Sequence, residues 1–208
     1  MPKTSVTIEL PDTKRRLLDA AMHLMLRQGF SATTVDEICA EADLTKGSFF
    51  HYFKSKDEIG EDVLEYFSTR KQQQFAGAKF NALADPLEKL HGLLDFIIES
   101  GRGATQVQGC LCGNFAQELA HTHPRIRAQC DVNFTSFAQS IQTMLREAKA
   151  KYCPKAGFDP EGVSLMFVSL LQGSMLLAKA RKDKALLAEN IKHFRDYIDT
   201  LFGGPRRS

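Results

Sequence analysis

The sequence predicts an all-α chain: an N-terminal three-helix helix-turn-helix domain followed by a larger C-terminal helical domain. Three observations carry this. Apolar residues recur three or four positions apart in segment after segment, which is the helical period. No stretch shows the two-residue alternation of a half-buried strand. Finally, two short segments within the first 60 residues each begin with a capping residue and are separated only by Asp43 and Leu44, as in a helix-turn-helix.

Taken in order, residues 1–11 carry no helical period and are bracketed by Pro2 and Pro11, so they read as an N-terminal arm. Asp12 or Thr13 can cap a first helix in which Leu17, Leu18, Ala21, Leu24 and Met25 form one apolar face, and Gly29 supplies the stop. Thr34 and Glu37 make a capping-box pattern ahead of Ile38 and Ala42. Thr45 can cap the next segment, which runs to Tyr52. Ser55 and Glu58 repeat the box ahead of a longer helix carrying Ile59, Val63, Tyr66 and Phe67 towards Phe80.

Asp85–Pro86 and Asp159–Pro160 each place a cap residue before a proline at the first helical position, and Gly101 is expected to end the first of these helices. Between them, helices are expected over about Gly109–Ala120 and Pro124–Tyr152. The last helix carries Leu187, Ile191, Phe194, Ile198 and Leu201 on one stripe. The expected domains are 12–56 for the helix-turn-helix and 57–203 for the larger helical part, with 204–208 as a tail.

Within TKGSFFHYFKSK, Phe49 and Phe53 lie four apart and can face a core, which leaves Lys46, Ser48, Phe50, His51 and Tyr52 pointing outward or sideways. Gly47 removes a side chain where a phosphate could approach, and Lys46, Lys54 and Lys56 place cations around the segment. Placement matters here because bulk charge does not help. The whole chain is formally +2, and residues 1–60 hold eight Lys and Arg against nine Asp and Glu.

Composition narrows the other classes. The first residues lack the apolar stretch of a secretory signal, which points to a cytoplasmic protein. Five cysteines, an odd number, suit reduced thiols better than a disulfide framework. The most apolar stretch, Val163–Ala178, is interrupted by Ser164, Ser169, Gln172, Gly173 and Ser174, so a buried helix is expected rather than a membrane span.

The stretch TTVDEICAEADLTKGSFFHYFKSKDEIGEDVL resembles the helix-turn-helix signature of the TetR family of repressors, and the preceding TKRRLLDAAMHLMLRQGF is also similar. The resemblance implies phosphate or base contacts from Thr34, Thr45, Lys46, Ser48, Phe50, His51, Tyr52 and Lys56, with Ala42 and Phe49 packing inside. Two positions depart from the family pattern: Asp43 stands where glycine is common in the turn, and Phe50 stands where tyrosine is common, which removes a hydroxyl. The resemblance further implies double-stranded operator DNA as partner, a small-molecule effector, and a homodimer built from the last two helices. The C-terminal part then becomes a ligand-binding and dimerisation domain. Two-fold symmetry with reading helices about 34–36 Å apart is also the physical expectation for so small a reading unit.

Phe75, Phe96, Phe115 and Phe137 are candidates for lining an apolar effector cavity, although phenylalanines at helical spacing more often form plain core. The string GCLCGNFAQELAHTHP resembles a branch of the family that includes N-ethylmaleimide-responsive repressors. Cys110 and Cys112 fall in the first turn of a helix starting near Gly109, where the helix dipole favours thiolate, so both are candidates for sensing an electrophile or oxidant. A metal site from Cys110, Cys112, His121 and His123 is disfavoured. The nine residues from Cys112 to His121 would span about 13.5 Å on one helix, too far for a shared ion. No metal and no cofactor is expected. With no nucleophile elbow, phosphate loop, metalloprotease pair or Cys-x-x-Cys, an enzyme is not expected either; a helical adaptor without DNA binding or a thiol-dependent enzyme are the alternatives.

Overall fold

The structure is a computed structural model and describes residues 10–102 and 109–203. Most of the expected arm and all of the expected tail lie outside the described residues. Within them the order is α1 (Asp12–Gln28), α2 (Val35–Glu41), α3 (Lys46–Tyr52), α4 (Lys56–Ala76), a 3-10 turn (Lys79–Ala82), α5 (Pro86–Arg102), α6 (Leu111–Leu119), α7 (Pro124–Tyr152), α8 (Pro160–Arg181) and α9 (Leu186–Leu201).

These elements pack as two compact units. The first gathers the described residues up to Ala76 together with Cys110–Asp131, so α6 and the start of α7 join the N-terminal helices. The second holds the 3-10 turn, α5, the remainder of α7, α8 and α9. The packing thus divides the chain at other places than the functional domains expected from sequence.

In the first unit, α1 buries Leu17, Leu18, Ala21, Leu24 and Met25, the stripe its spacing foretells. It packs against α2, α3, α4 and α6. Asp19 of α1 accepts hydrogen bonds from Tyr66 Oη at 3.0 Å and Arg70 at 2.8 Å, and Lys14 pairs with Asp62 at 2.8 Å, so α4 is braced along its length. The cap of α1 differs from expectation. Asp12 is already helical and pairs with Arg15, while Pro11 occupies the cap position without a side-chain bond. The second capping box is half formed: Glu58 N donates to Ser55 Oγ at 3.2 Å, but the Glu58 carboxylate takes Lys54 N at 2.6 Å.

α4 ends at Ala76 rather than reaching Phe80. Its apolar stripe runs out after Phe67 and residues 70–74 are solvent-facing, so no packing sustains a longer helix. Phe80 instead sits buried in the 3-10 turn, which packs on α5.

In the second unit, both Asp-Pro starts hold. Asp85 accepts from Leu87 N at 2.9 Å and Glu88 N at 3.0 Å, and Asp159 from Glu161 N at 3.1 Å and Gly162 N at 2.9 Å. Gly101, expected to end α5, lies inside it, since α5 runs to Arg102. α8 and α9 form an antiparallel pair, closed by Lys182 in the left-handed region at φ 54°. The rings of Phe167 and Phe194 meet at 4.5 Å, and Asn190 donates to Ser174 Oγ at 2.9 Å.

Ile191, Phe194 and Ile198 of the last stripe, with Val168 and Leu171 of α8, are buried within this unit. The opposite side of α8 leaves Leu165, Met166, Leu176 and Leu177 exposed. α8 is also long and apolar enough to cross a membrane by length and composition, a weak signal that the core helix of a soluble protein gives too.

The turn between α2 and α3 holds Asp43 at φ 50°, a conformation that aspartate tolerates better than most residues. Arg16 donates to Ala42 O at 2.7 Å and Asp43 O at 3.1 Å, pinning the turn to α1. Replacing Asp43 with valine should cost at least about 1 kcal/mol, read as a Tm several degrees lower, because a β-branched residue fits φ > 0 poorly. Asp43→Gly should be neutral or stabilising. Equal Tm values for the valine variant and the parent would contradict the assigned turn.

Candidate nucleic-acid interface

The outer face of α3 is built by two threonine caps and a buried anchor. Thr34 makes a complete capping box: its Oγ1 accepts from Glu37 N at 3.2 Å while its own N–H donates to Glu37 Oε2 at 2.8 Å. Thr45 Oγ1 accepts from Ser48 N at 3.2 Å, which fixes the first turn of α3. Phe49 and Phe53 are fully buried, with rings 5.5 Å apart, so the rotation of α3 about its axis is set.

That rotation turns Lys46, Gly47, Phe50 and His51 to solvent, with Ser48 and Tyr52 half-buried beside them. Phe50 is 56% exposed, an unusual position for a phenylalanine, and its ring meets that of Phe49 at 5.2 Å. His51 and Tyr52 meet edge to face at 4.7 Å. A Cβ added at Gly47 would meet nothing nearer than Thr45 Oγ1 at 3.6 Å, so space around it is open to an approaching group.

Two cations are already engaged within the protein. Lys46 Nζ pairs with Asp36 at 2.7 Å, and that hydrogen bond raises its pKa. Lys56 Nζ donates to Phe30 O at 3.1 Å and Ser31 O at 3.3 Å and lies 4.6 Å from the Phe30 ring. Two of its three protons are thus spent on the loop before α2, leaving one outward.

The effector candidates fall into both units. Cys110 is the N-cap of α6 and Cys112 sits buried in its first turn. Helix α6 starts at Leu111, two residues later than expected. Phe115 is fully buried against Phe30, edge to face at 5.7 Å. Phe75 lies in the last turn of α4. In the second unit, Phe96 packs on Phe80 at 5.8 Å and Phe137 on Phe167 at 6.4 Å. Among the described residues, no cluster of His, Cys, Asp or Glu is arranged to hold a metal ion.

A compact helical head carrying two capped short helices, with the second presenting a polar and aromatic face over a buried anchor, defines a helix-turn-helix DNA-binding transcriptional regulator. The chain belongs to the TetR family of bacterial regulatory proteins: that family's N-terminal model matches residues 17–63, and the tetracyclin repressor-like C-terminal domain matches residues 86–194. It is 26% identical over 171 residues to the HTH-type transcriptional repressor DhaR of Mycobacterium sp. (strain GP1), covering 82% of this chain and 84% of that protein. It is 22% identical over 189 residues to the HTH-type transcriptional repressor NemR of Escherichia coli (strain K12), covering 91% and 95%. The crystal structure of a regulatory protein TetR from Rhodobacter sphaeroides superposes with TM-score 0.79 at 27% identity, covering 88% of this chain and 97% of that one.

Sequence reasoning missed the bracket that holds the reading head. Phe30, in the loop after α1, is buried against Phe115, the His123 ring at 5.5 Å, and α4. A Cβ at Gly60 of α4 would stand 2.7 Å from the Phe30 ring, so only glycine admits it there. From α6, Glu118 accepts Phe30 N at 2.9 Å and Ser31 N at 2.7 Å. Gly29, at φ 90°, has Glu118 Oε2 3.1 Å from where a Cβ would stand. Only the Gly29 stop signal hinted at this loop. Glu118 lies 87 residues from Ser31, beyond any local pattern.

Burial pushes the Glu118 carboxyl up, but the Ser31 side chain and amide, the Phe30 amide and Lys56 outweigh it, so its pKa is lowered below 4.5. A carboxyl with a depressed folded-state pKa stabilises the fold above its unfolded pKa, and the contribution is lost as pH falls through the folded value. The parent should therefore lose its stability advantage over Glu118→Gln as pH drops below about 4.5, the ordinary carboxyl range. The measurement is urea unfolding of both proteins from pH 7 down to pH 3; a constant gap across that range would remove Glu118 from this role. Hydrogen exchange at Phe30 and Ser31 amides should also quicken in Glu118→Ala.

Proposed function

We propose that this chain is a cytoplasmic, homodimeric transcriptional repressor, not an enzyme, that grips a palindromic operator through the Thr45–Tyr52 surface and releases it when an effector acts on its helical part. Residues 12–56 then serve as the reading head and 57–203 as the regulatory and dimerisation part, with 1–11 as arm and 204–208 as tail. The single observation that carries the reading is the outward face of α3, where Phe50 and His51 are exposed above fully buried Phe49 and Phe53.

Ser48, Phe50, His51 and Tyr52 are the groups offered to base edges and sugar; Thr34, Thr45, Lys46, Gly47 and Lys56 are offered to phosphates. The third Lys56 proton and the release of Lys46 from Asp36 supply cations at the duplex. Binding of two heads, each on a half-site, should then weaken steeply with salt, by about a thousandfold or more between 50 and 200 mM.

His51→Ala should relax base preference at one position by about 1–3 kcal/mol, whereas Lys56→Ala should weaken all sequences alike. Fluorescence anisotropy on a palindromic operator and on scrambled duplexes distinguishes the two. If both variants match the parent on every duplex, α3 is not the reading element.

The exposed side of α8 is the proposed dimer surface: Leu165, Leu176 and Leu177 are 52%, 52% and 45% exposed, and a Cβ at Gly173 would meet nothing within 4 Å. Two copies of α8 can approach closely there, with α9 completing a four-helix arrangement. Leu176→Asp should yield a monomer by light scattering and lose operator affinity by at least about a hundredfold, since one head alone grips weakly. A dimeric Leu176→Asp variant would place the interface elsewhere.

For release, Cys110 and Cys112 are proposed to sense an electrophile or oxidant, with Phe75 and Phe115 flanking them in the same unit. Phe96 and Phe137 are proposed to line a ligand cavity within the second unit. An effector acts only by binding the DNA-competent and DNA-incompetent states with different affinity, and the proposed difference is the tilt of α4 beneath the reading head.

A further inference from the structure

The outward side of α3 carries one apolar side chain. Lys46, Ser48, His51 and Tyr52 each bear a hydrogen-bonding group, and Gly47 has no side chain. Phe50 offers only a phenyl ring, and it stands in solvent while Phe49 and Phe53 beside it are buried.

Exposure here is not looseness. The Phe50 ring meets Phe49 edge to face, with centroids 5.2 Å apart and planes at 81°, and Phe49 is itself fixed in the core. A ring held in this way loses little rotamer freedom when another surface closes on it. The space beside it is also clear. Gly47 lies three residues earlier and therefore next to Phe50 on the helix surface, and a Cβ there would find nothing nearer than Thr45 Oγ1 at 3.6 Å. Lys46, four residues earlier, has its ammonium on Asp36 at 2.7 Å.

We propose that Phe50 reads the C5-methyl group of a thymine, so that each half-site carries one thymine chosen by apolar contact rather than by a hydrogen bond. The inference deepens the DNA-reading role given above to the α3 face and rests on that role.

The chemistry of the duplex narrows the partner to this group. Phenylalanine has no hydroxyl with which to bond a phosphate, and a bare ring against a phosphate strips water from an anion without replacing it. In the major groove guanine presents N7 and O6, adenine N7 and an amino group, and cytosine an amino group. A phenyl ring pressed on any of these leaves a donor or acceptor dry and unpartnered, a penalty larger than the gain from the apolar area buried. Thymine alone adds an apolar group, the methyl beside O4. Ring and methyl leave water together, and the gap at Gly47 gives the base edge room to approach.

The test uses the full chain and the palindromic duplex that it selects from a randomised pool. Each thymine of the half-site is replaced in turn by deoxyuridine, which deletes the methyl and keeps the base pairing and every hydrogen-bonding group. Fluorescence anisotropy then gives the affinities. At one thymine the replacement should weaken binding about fourfold, and about fifteenfold when made in both half-sites, as the burial of one methyl group per half-site requires. In Phe50→Ala the same replacement should change affinity by less than about twofold, because the ring that met the methyl is gone. Thermal melting checks that the alanine variant is folded, and Phe50→Gln, of similar length but polar, gives the same readout should the alanine variant melt early. The proposal is overturned if no thymine of the parent's half-site responds to loss of its methyl, or if the selected half-site holds no thymine. A response that persists undiminished in the Phe50 variants overturns it as well and assigns the methyl to another side chain. A chain that enriches no duplex from the pool overturns the reading of α3 itself, a failure separate from the other three.

Discussion

The reading head depends on one buried ring. Phe30 inserts between α4, α6 and the start of α7, and every neighbour is shaped for it: Gly60 has no side chain, Phe115 and His123 present edges, and Lys56 covers the ring face. The amides and carbonyls of residues 30 and 31, which flank the ring, take their partners from the protein. Glu118 and Lys56 supply those partners from opposite charges and so hold the loop against α4 and α6. The start of α2 is fixed three residues further on by Thr34, so the position of the helix-turn-helix follows from how α6 is held.

This arrangement makes α6 part of the DNA-binding unit rather than a neighbour of it. The helix is short and bears its functional groups at both ends: thiols at the first turn, Glu118 in the last. A nine-residue helix is effectively rigid, so a displacement at one end is carried to the other rather than absorbed along the way.

The face offered to DNA owes its form to competition between local and tertiary forces. Two threonine caps and a left-handed Asp43 set the turn, but neither decides which side of α3 looks outward. Phe49 and Phe53 decide that by burial, and removing either would cost about 3–5 kcal/mol, more than any capping bond supplies. The cations of the near-neutral head are likewise fixed by placement, since Lys46 is held by Asp36 and Lys56 by backbone carbonyls.

Local signals in the chain were enough for the helices and for most of their starts, though not for the cap of α1 or the first residue of α6. The Thr34 box, the Thr45 cap and the two Asp-Pro pairs each act within four residues, so the backbone groups that they satisfy are specified by neighbours in sequence. The α3 face was legible for the same reason, because side chains four apart share a face. Where local signals competed with packing, they failed: Gly101 did not end α5, and α4 stopped before Phe80 once its apolar stripe ran out. Tertiary structure alone joined Glu118 to Phe30, decided that Val168 and Leu171 face inward while Leu176 faces out, and committed two lysines to partners within the chain. Those outcomes depend on which surfaces meet when distant segments exclude water together, and no spacing within one segment encodes that.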